Sequence, residues 1–297
     1  MNPKSRALFE TTVIYVILAF VGWLTFENFK IEDESIWRFL YADLAMTVAC
    51  YIISVFKKNT SVYDAYWSVI PFYFLVAWCA HYNGDTWGIE QWLAAAVISF
   101  WSWRLTLSWA RGFPGWHHED YRYVNFRSQF GKFFEPMNFL ALQLYPTVIV
   151  FLGMLGLFWV FEMGTLQNAL LFYLGAFVTL LGGIFELLAD NELAKFRHRP
   201  NPKKEDILRT GIWGYSRNPN YLGELLFWFG ILAMSIAYAA PWYAAIGFVG
   251  MLAMFLFASI PMKDKQMMKN RPEAFAQYKK EVSMLIPMPP RKSKEKQ

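Results

Sequence analysis

Cysteine is almost absent from this chain: Cys50 and Cys79 are the only two in 297 residues, and each falls within a strongly apolar stretch. That excludes a disulfide framework, a Cys/His zinc module and a paired redox centre. Charge is scarce too. Asp, Glu, Lys and Arg make up 17% of the residues, against about a quarter in an average soluble domain. No Gly-x-Gly-x-x-Gly turn, Walker loop, His-Glu-x-x-His helix or Gly-x-Ser-x-Gly elbow occurs, so any nucleotide site must be built between helices. His117 and His118 are neighbours and point apart on a helix, so no metal site is expected. Internal repeats, a soluble domain and a long linker are missing as well.

What is present is apolar: 56% of the residues are hydrophobic and 20% aromatic. Uncharged runs cover 11–26, 65–84, 136–161, 163–185 and 225–262. A bilayer core takes roughly 20 residues of helix. The last run, 38 residues long, would reach about 57 Å as one helix, and Pro241 near its middle divides it. The expected fold is all-α, a polytopic membrane bundle of about eight helices near 11–28, 37–56 around Asp43, 65–82, 90–110 around Arg104, 137–160, 166–189, 219–239 and 242–260. With both termini cytoplasmic, 26 of the 28 Lys and Arg fall on the cytoplasmic side, and only Lys30 and Arg38 lie outside. Such a bias follows the positive-inside rule. The membrane would be the inner membrane of a bacterium or the endoplasmic reticulum of a eukaryote. No small-residue cleavage site follows the first run, so it is read as a retained helix. The net charge of +5 belongs to lipid-facing loops, and no nucleic-acid partner is expected. The expected organisation is two N-terminal helices over 1–60, a membrane domain over 61–290 and a basic tail over 291–297.

Polar side chains gather in four places on the cytoplasmic side. Asp64, within Ser61–Ser68, stands at the expected start of the third span, as a helix-dipole acid or as a buried acid able to donate to a substrate oxygen. Arg104 and Arg111 lie seven residues apart on one helix face, ahead of a second group holding Glu119, Asp120, Arg122 and Tyr123. Guanidinium groups so arranged suit a phosphate. Glu186 and Asp190 share a helix face four residues apart, close to Lys195 and Arg197. They either pair with these cations or accept from ribose hydroxyls. The densest cluster is Tyr215-Ser216-Arg217-Asn218-Pro219-Asn220-Tyr221-Leu222-Gly223-Glu224. Pro219 suits the first turn of a helix, Asn220 and Glu224 share a face, and Gly223 admits a close neighbour, either a backbone or a flat ring.

This last segment resembles the Tyr-Ser-Arg-His-Pro-Asn-Tyr-x-Gly-Glu box of the steroid 5-alpha-reductase C-terminal family, including its bacterial, DUF1295-type branch of membrane proteins. Asn218 stands where that box carries histidine. Further matches are Ser61/Val62/Asp64/Trp67, Trp101/Arg104/Leu105, Glu119/Asp120/Arg122/Tyr123 and Phe185/Glu186/Ala189/Asp190, so the likeness runs from about Ser61 to Pro290. It implies a membrane-embedded, NADPH-dependent reductase of a carbon–carbon double bond conjugated to a ketone in a lipophilic substrate. On this resemblance Arg122, Arg197 and Arg217 take phosphates. Asp190, Asn220, Tyr221 and Glu224 position the nucleotide, with Arg104, Arg111, Tyr123, Glu186, Tyr215, Asp264 and Tyr278 in the same cofactor region. Asp64 matches the acid that holds the ketone. The family's partner tyrosine is replaced by Trp101, so Tyr63, Tyr66 or a water would stand in. The tail Ile260-Pro261-Met262-Lys263-Asp264-Lys265-Gln266 departs from the branch's Ile-Pro-x-Met-Glu-Glu-Arg. Two other activities compete: an S-adenosylmethionine-dependent methyltransferase of the isoprenylcysteine or phospholipid type, whose box also carries the missing histidine, and a non-catalytic lipid-binding membrane protein.

Overall fold

The structure, a computed structural model, describes residues 2–29, 35–82, 84–201, 203 and 205–291. Lys30, the acidic residues 32–34 and the tail 292–297 lie outside the described residues. Helices account for nearly all regular structure, and no strand occurs among the described residues. Packing divides the chain into two compact units, one of Met1–Gln167 with Tyr238–Gly247 and one of Asn168–Ala237 with Phe248–Gln297.

Among the described residues, six helical segments are long and apolar enough to cross a membrane: Pro3–Asn28, Ser35–Lys57, Tyr121–Met163, Ala169–Arg197, Pro219–Ala237 and Trp242–Asn270. The chain is an integral membrane protein. The other two expected spans are helices as well. Tyr66–His81 has only 16 residues, about 24 Å of rise against a core of about 30 Å. Ile89–Gly112 is long enough but carries Glu90, Arg104 and Arg111 among its apolar residues.

In the first unit, α1 (Pro3–Asn28) is capped by the Asn2 side chain, which accepts from the Ser5 N–H. It packs on α2 (Ser35–Lys57), and α3 (Tyr66–His81) packs on α4 (Ile89–Gly112). The continuous segment Tyr121–Met163 comprises α5 (Tyr121–Phe130), α6 (Phe134–Met137), a π-helical turn Asn138–Leu144, α7 (Tyr145–Met154) and a second π-helical turn Trp159–Met163. Aromatic rings fill the core: Trp78 stacks on Phe161 at 4.9 Å, and Phe39 meets Phe158 edge-on at 5.1 Å. Edge-on and offset ring pairs of this kind add about 0.5–1.5 kcal/mol beyond area burial.

In the second unit, α8 (Ala169–Arg197) starts at Asn168, whose side chain caps the Leu171 N–H, and α9 (Pro219–Ala237) starts at Pro219. The proline at the first position loses nothing by lacking an N–H. These two helices make the most extensive pairing in the molecule. Their axes approach at glycines. A Cβ on Gly223 would stand 2.7 Å from the Gly182 carbonyl oxygen and 2.8 Å from the Glu186 backbone nitrogen. Gly223 therefore admits another backbone, as small residues do where membrane helices pack closely. The long uncharged run divides as Pro241 requires: α9 ends at Ala237 and a new helical segment starts at Trp242. It continues as α10 (Ala245–Met254), a π-helical turn Phe255–Ser259 and α11 (Ile260–Asn270), followed by α12 (Pro272–Glu281).

Candidate active site

Within the first unit, a short loop does the positioning. Asn59 caps a 3-10 turn, Thr60–Tyr63, by accepting from the Ser61 N–H at 3.0 Å. The Asn59 amide also donates to the Trp116 and His118 carbonyls, at 3.1 and 3.0 Å. The Thr60 N–H donates to Glu119 at 2.8 Å, and the Asp120 N–H to the Ser61 hydroxyl at 3.1 Å. These bonds lay the turn against residues 116–120. Asp120 then caps α5, accepting from the Arg122 N–H at 2.9 Å, and this fixes Arg122 and Tyr123 on its first turn.

Asp64 ends the 3-10 turn two residues before α3 begins, so it is not the first-turn acid that the spacing suggests. Its Oδ1 instead accepts from the Tyr123 hydroxyl at 2.6 Å and from the Arg122 guanidinium at 3.2 Å. Arg122 also bonds Asp120 at 2.8 Å. The Asp64 side chain is only 13% exposed. Burial pushes its carboxyl above the usual carboxylate range, against the opposing pull of Arg122 and Tyr123. An acid in this setting holds its proton to higher pH than usual, and a cation stands ready for the anion.

Tyr63 and Tyr66 are engaged elsewhere. Their rings stack at 4.9 Å, and their hydroxyls enter a buried chain that the sequence reading missed. Tyr63 shares a hydrogen bond with Thr147 at 2.7 Å, Thr147 with Thr47 at 2.9 Å, and Thr47 donates to Tyr66 at 3.1 Å. Tyr66 in turn donates to the Asp43 carboxylate at 2.8 Å. Asp43 is fully buried, and its Oδ2 has no hydrogen-bond partner. The available signal was a lone acid inside an apolar span, which is expensive and so marks a functional position. Trp101 is wholly buried and Arg104 nearly so, whereas Arg111 is exposed where α4 ends. The shared helix face therefore gives these two arginines different surroundings.

The second unit gathers the rest. Arg217 is buried and pairs with Asp264 at 2.9 Å, which also meets Lys279 at 3.2 Å. Lys263 donates to the Asn218 side-chain oxygen at 2.8 Å and to the Arg217 carbonyl at 3.2 Å, and its ammonium lies over the Trp213 and Tyr221 rings. Asn218 is fully buried and donates to the Met284 carbonyl at 2.8 Å. Two of the positions that depart from the resembled pattern, 218 and 263, thus bond each other. Glu224 accepts from the Trp228 indole at 3.0 Å. Glu186 is buried on α8 against Gly223, Asp190 follows one turn later, and Arg197 is exposed at the helix end. Tyr278 donates to the Trp213 carbonyl at 2.6 Å, and burial pushes its hydroxyl up, so it serves as a tie. Tyr215 is half exposed. Two buried polar atoms at the entrance of α9 have no partner: the Arg217 Nε and the Asn220 Oδ1. A guanidinium donor and an amide acceptor, three residues apart in sequence, are thus left without a partner at the same helix entrance.

An all-helical, membrane-embedded chain with a polar entrance to one of its spans defines the class. The chain belongs to the family described as Protein of unknown function (DUF1295), which matches residues 50–282. It is also similar to an uncharacterized protein of Schizosaccharomyces pombe, 26% identical over 78% of this chain and 75% of that protein. No solved structure matches it.

Proposed function

We propose that the protein is a membrane reductase that uses NADPH on a conjugated carbon–carbon double bond of a lipophilic ketone. The observation that carries this reading is the α9 entrance, where Arg217 Nε and Asn220 Oδ1 are buried without partners. Arg197 and Arg217 would face the phosphates, and Asn220, Tyr221, Asp190 and Glu224 would orient the nucleotide. Bound NADPH would supply hydride to the carbon beta to the ketone. The acid role falls to Asp64 in the first unit. Its raised carboxyl would bond the ketone oxygen, where negative charge develops in the transition state. Trp101 cannot give up a proton, but Tyr123 is held on Asp64 at 2.6 Å and supplies the missing phenol. The anion left by proton transfer would face Arg122, already 3.2 Å away.

The test is direct binding of NADPH, NADH and S-adenosylmethionine to the purified full-length protein. NADPH is expected at micromolar Kd or better, about −8 kcal/mol, and Arg197→Ala should weaken it by about 1.5–3 kcal/mol. Binding of S-adenosylmethionine without NADPH would replace the reductase by a methyltransferase, and binding of none of the three would leave a non-catalytic membrane protein.

A further inference from the structure

The first unit holds a cavity of about 400 Å³ between α1, the start of α3 and the C-terminal half of α4. That volume lies within the roughly 300–1,000 Å³ of small-molecule sites. Its walls are apolar and aromatic, and no charged side chain lines it. Val16 at 63% exposure and Trp103 at 56% flank it, so it opens along the surface of a helix long enough to cross the membrane.

Among its lining hydroxyls, Thr11, Thr12 and Tyr73 donate to backbone carbonyls of Ala7, Leu8 and Tyr15, and Ser68 pairs with Thr106 at 2.8 Å. Ser102 differs. It is 2% exposed and its Oγ has no hydrogen-bond partner, although a serine in a helix ordinarily bonds a carbonyl one turn back. A buried hydroxyl left without a partner costs about 1–3 kcal/mol, and a ligand oxygen would relieve it. The pattern is one open donor in an uncharged, apolar slot.

We infer that this cavity binds a neutral lipophile carrying a carbonyl or hydroxyl oxygen, entering from the bilayer and held by the Ser102 hydroxyl. A phosphate or ammonium headgroup would find no counter-charge in the walls. One wall comes from α1, residues 3–28, outside the matched residues 50–282, so the site is not a consequence of family membership. It stands independently of the reductase reading, because its test needs no nucleotide.

The probe is a long-chain alkyl ketone carrying a diazirine, photolysed with the purified full-length protein in nanodiscs. Label should appear saturably on peptides of α1, α3 and α4. Unlabelled ketone should compete, and the alkane of equal length should compete at least tenfold less well. Ser102→Ala should weaken competition about 3–10-fold, as expected for loss of one hydrogen bond, and Ser102→Thr should restore it. Equal competition by ketone and alkane, or equal labelling by a phosphatidylcholine bearing the diazirine in its acyl chain, would reduce the cavity to a lipid-solvated groove and overturn the proposal. Unchanged affinity in Ser102→Ala would overturn the role of the hydroxyl.

Discussion

At position 64 a carboxyl group sits where water is largely excluded, with a guanidinium and a phenol on the same oxygen. If it is the acid of an enone reduction, Asp64→Asn keeps the size and one donor but cannot give a proton. NADPH binding should then survive while turnover falls by about 10²-fold or more. NADPH oxidation on whatever enone the parent reduces is the readout, and turnover within about twofold of the parent would remove Asp64 from the chemistry. Burial also makes a stability statement. A carboxyl raised in the folded chain binds its proton more tightly there than in the unfolded chain. Its contribution is therefore present at low pH and is lost as pH rises through the folded value. Melting curves between about pH 4 and 8 should show the parent losing ground to Asp64→Asn as pH rises. Asp64 was legible in the sequence. Its partner Tyr123, 59 positions away, was legible only as a member of another cluster, because helical spacing reports neighbours three and four residues apart.

The apolar runs predicted helices well because a buried backbone in lipid must satisfy its own hydrogen bonds. Pro219 and Pro241 set boundaries where their missing N–H and fixed φ allow. What composition could not supply was how helices meet. The α8–α9 pair depends on Gly182 opposite Gly223, where a methyl group would be pressed to 2.7 Å of a carbonyl oxygen. Gly223→Ala should cost about 1–3 kcal/mol, the range for overpacking, read as a lowered midpoint in thermal unfolding. The same unit joins Asn218 to Lys263. Restoring the resembled residues singly, as Asn218→His or Lys263→Met, should destabilise. The double variant should be less damaged than the sum, with a coupling of about 0.5–3 kcal/mol in a double-mutant cycle. Additive losses would make the contact incidental. Neither position announced the other, since they lie 45 residues apart.

Taken as a whole molecule, and on the eight expected spans, 26 of the 28 Lys and Arg would fall on one side, an asymmetry of the kind that sets orientation during insertion. Lys203→Cys should accept a membrane-impermeant thiol reagent only from the cytoplasmic side. Strong labelling from outside would invert the topology. Charge asymmetry is a property of the whole sequence and was legible at once. The interior hydrogen bonds were not, because Thr47 and Thr147 meet across 100 residues and neither stands out in its own helix.

The hydroxyls of Tyr63, Thr147, Thr47 and Tyr66 have one proton apiece. Tyr66 spends its proton on Asp43 and Thr47 donates to Tyr66, so Thr147 is left to donate to Thr47, and Tyr63 to Thr147. All four arrows run toward the same carboxylate. No member can turn around alone, since reversing one leaves two protons in one gap and none in the next. The row therefore behaves as a single rotor train, whose donors reorient together or not at all.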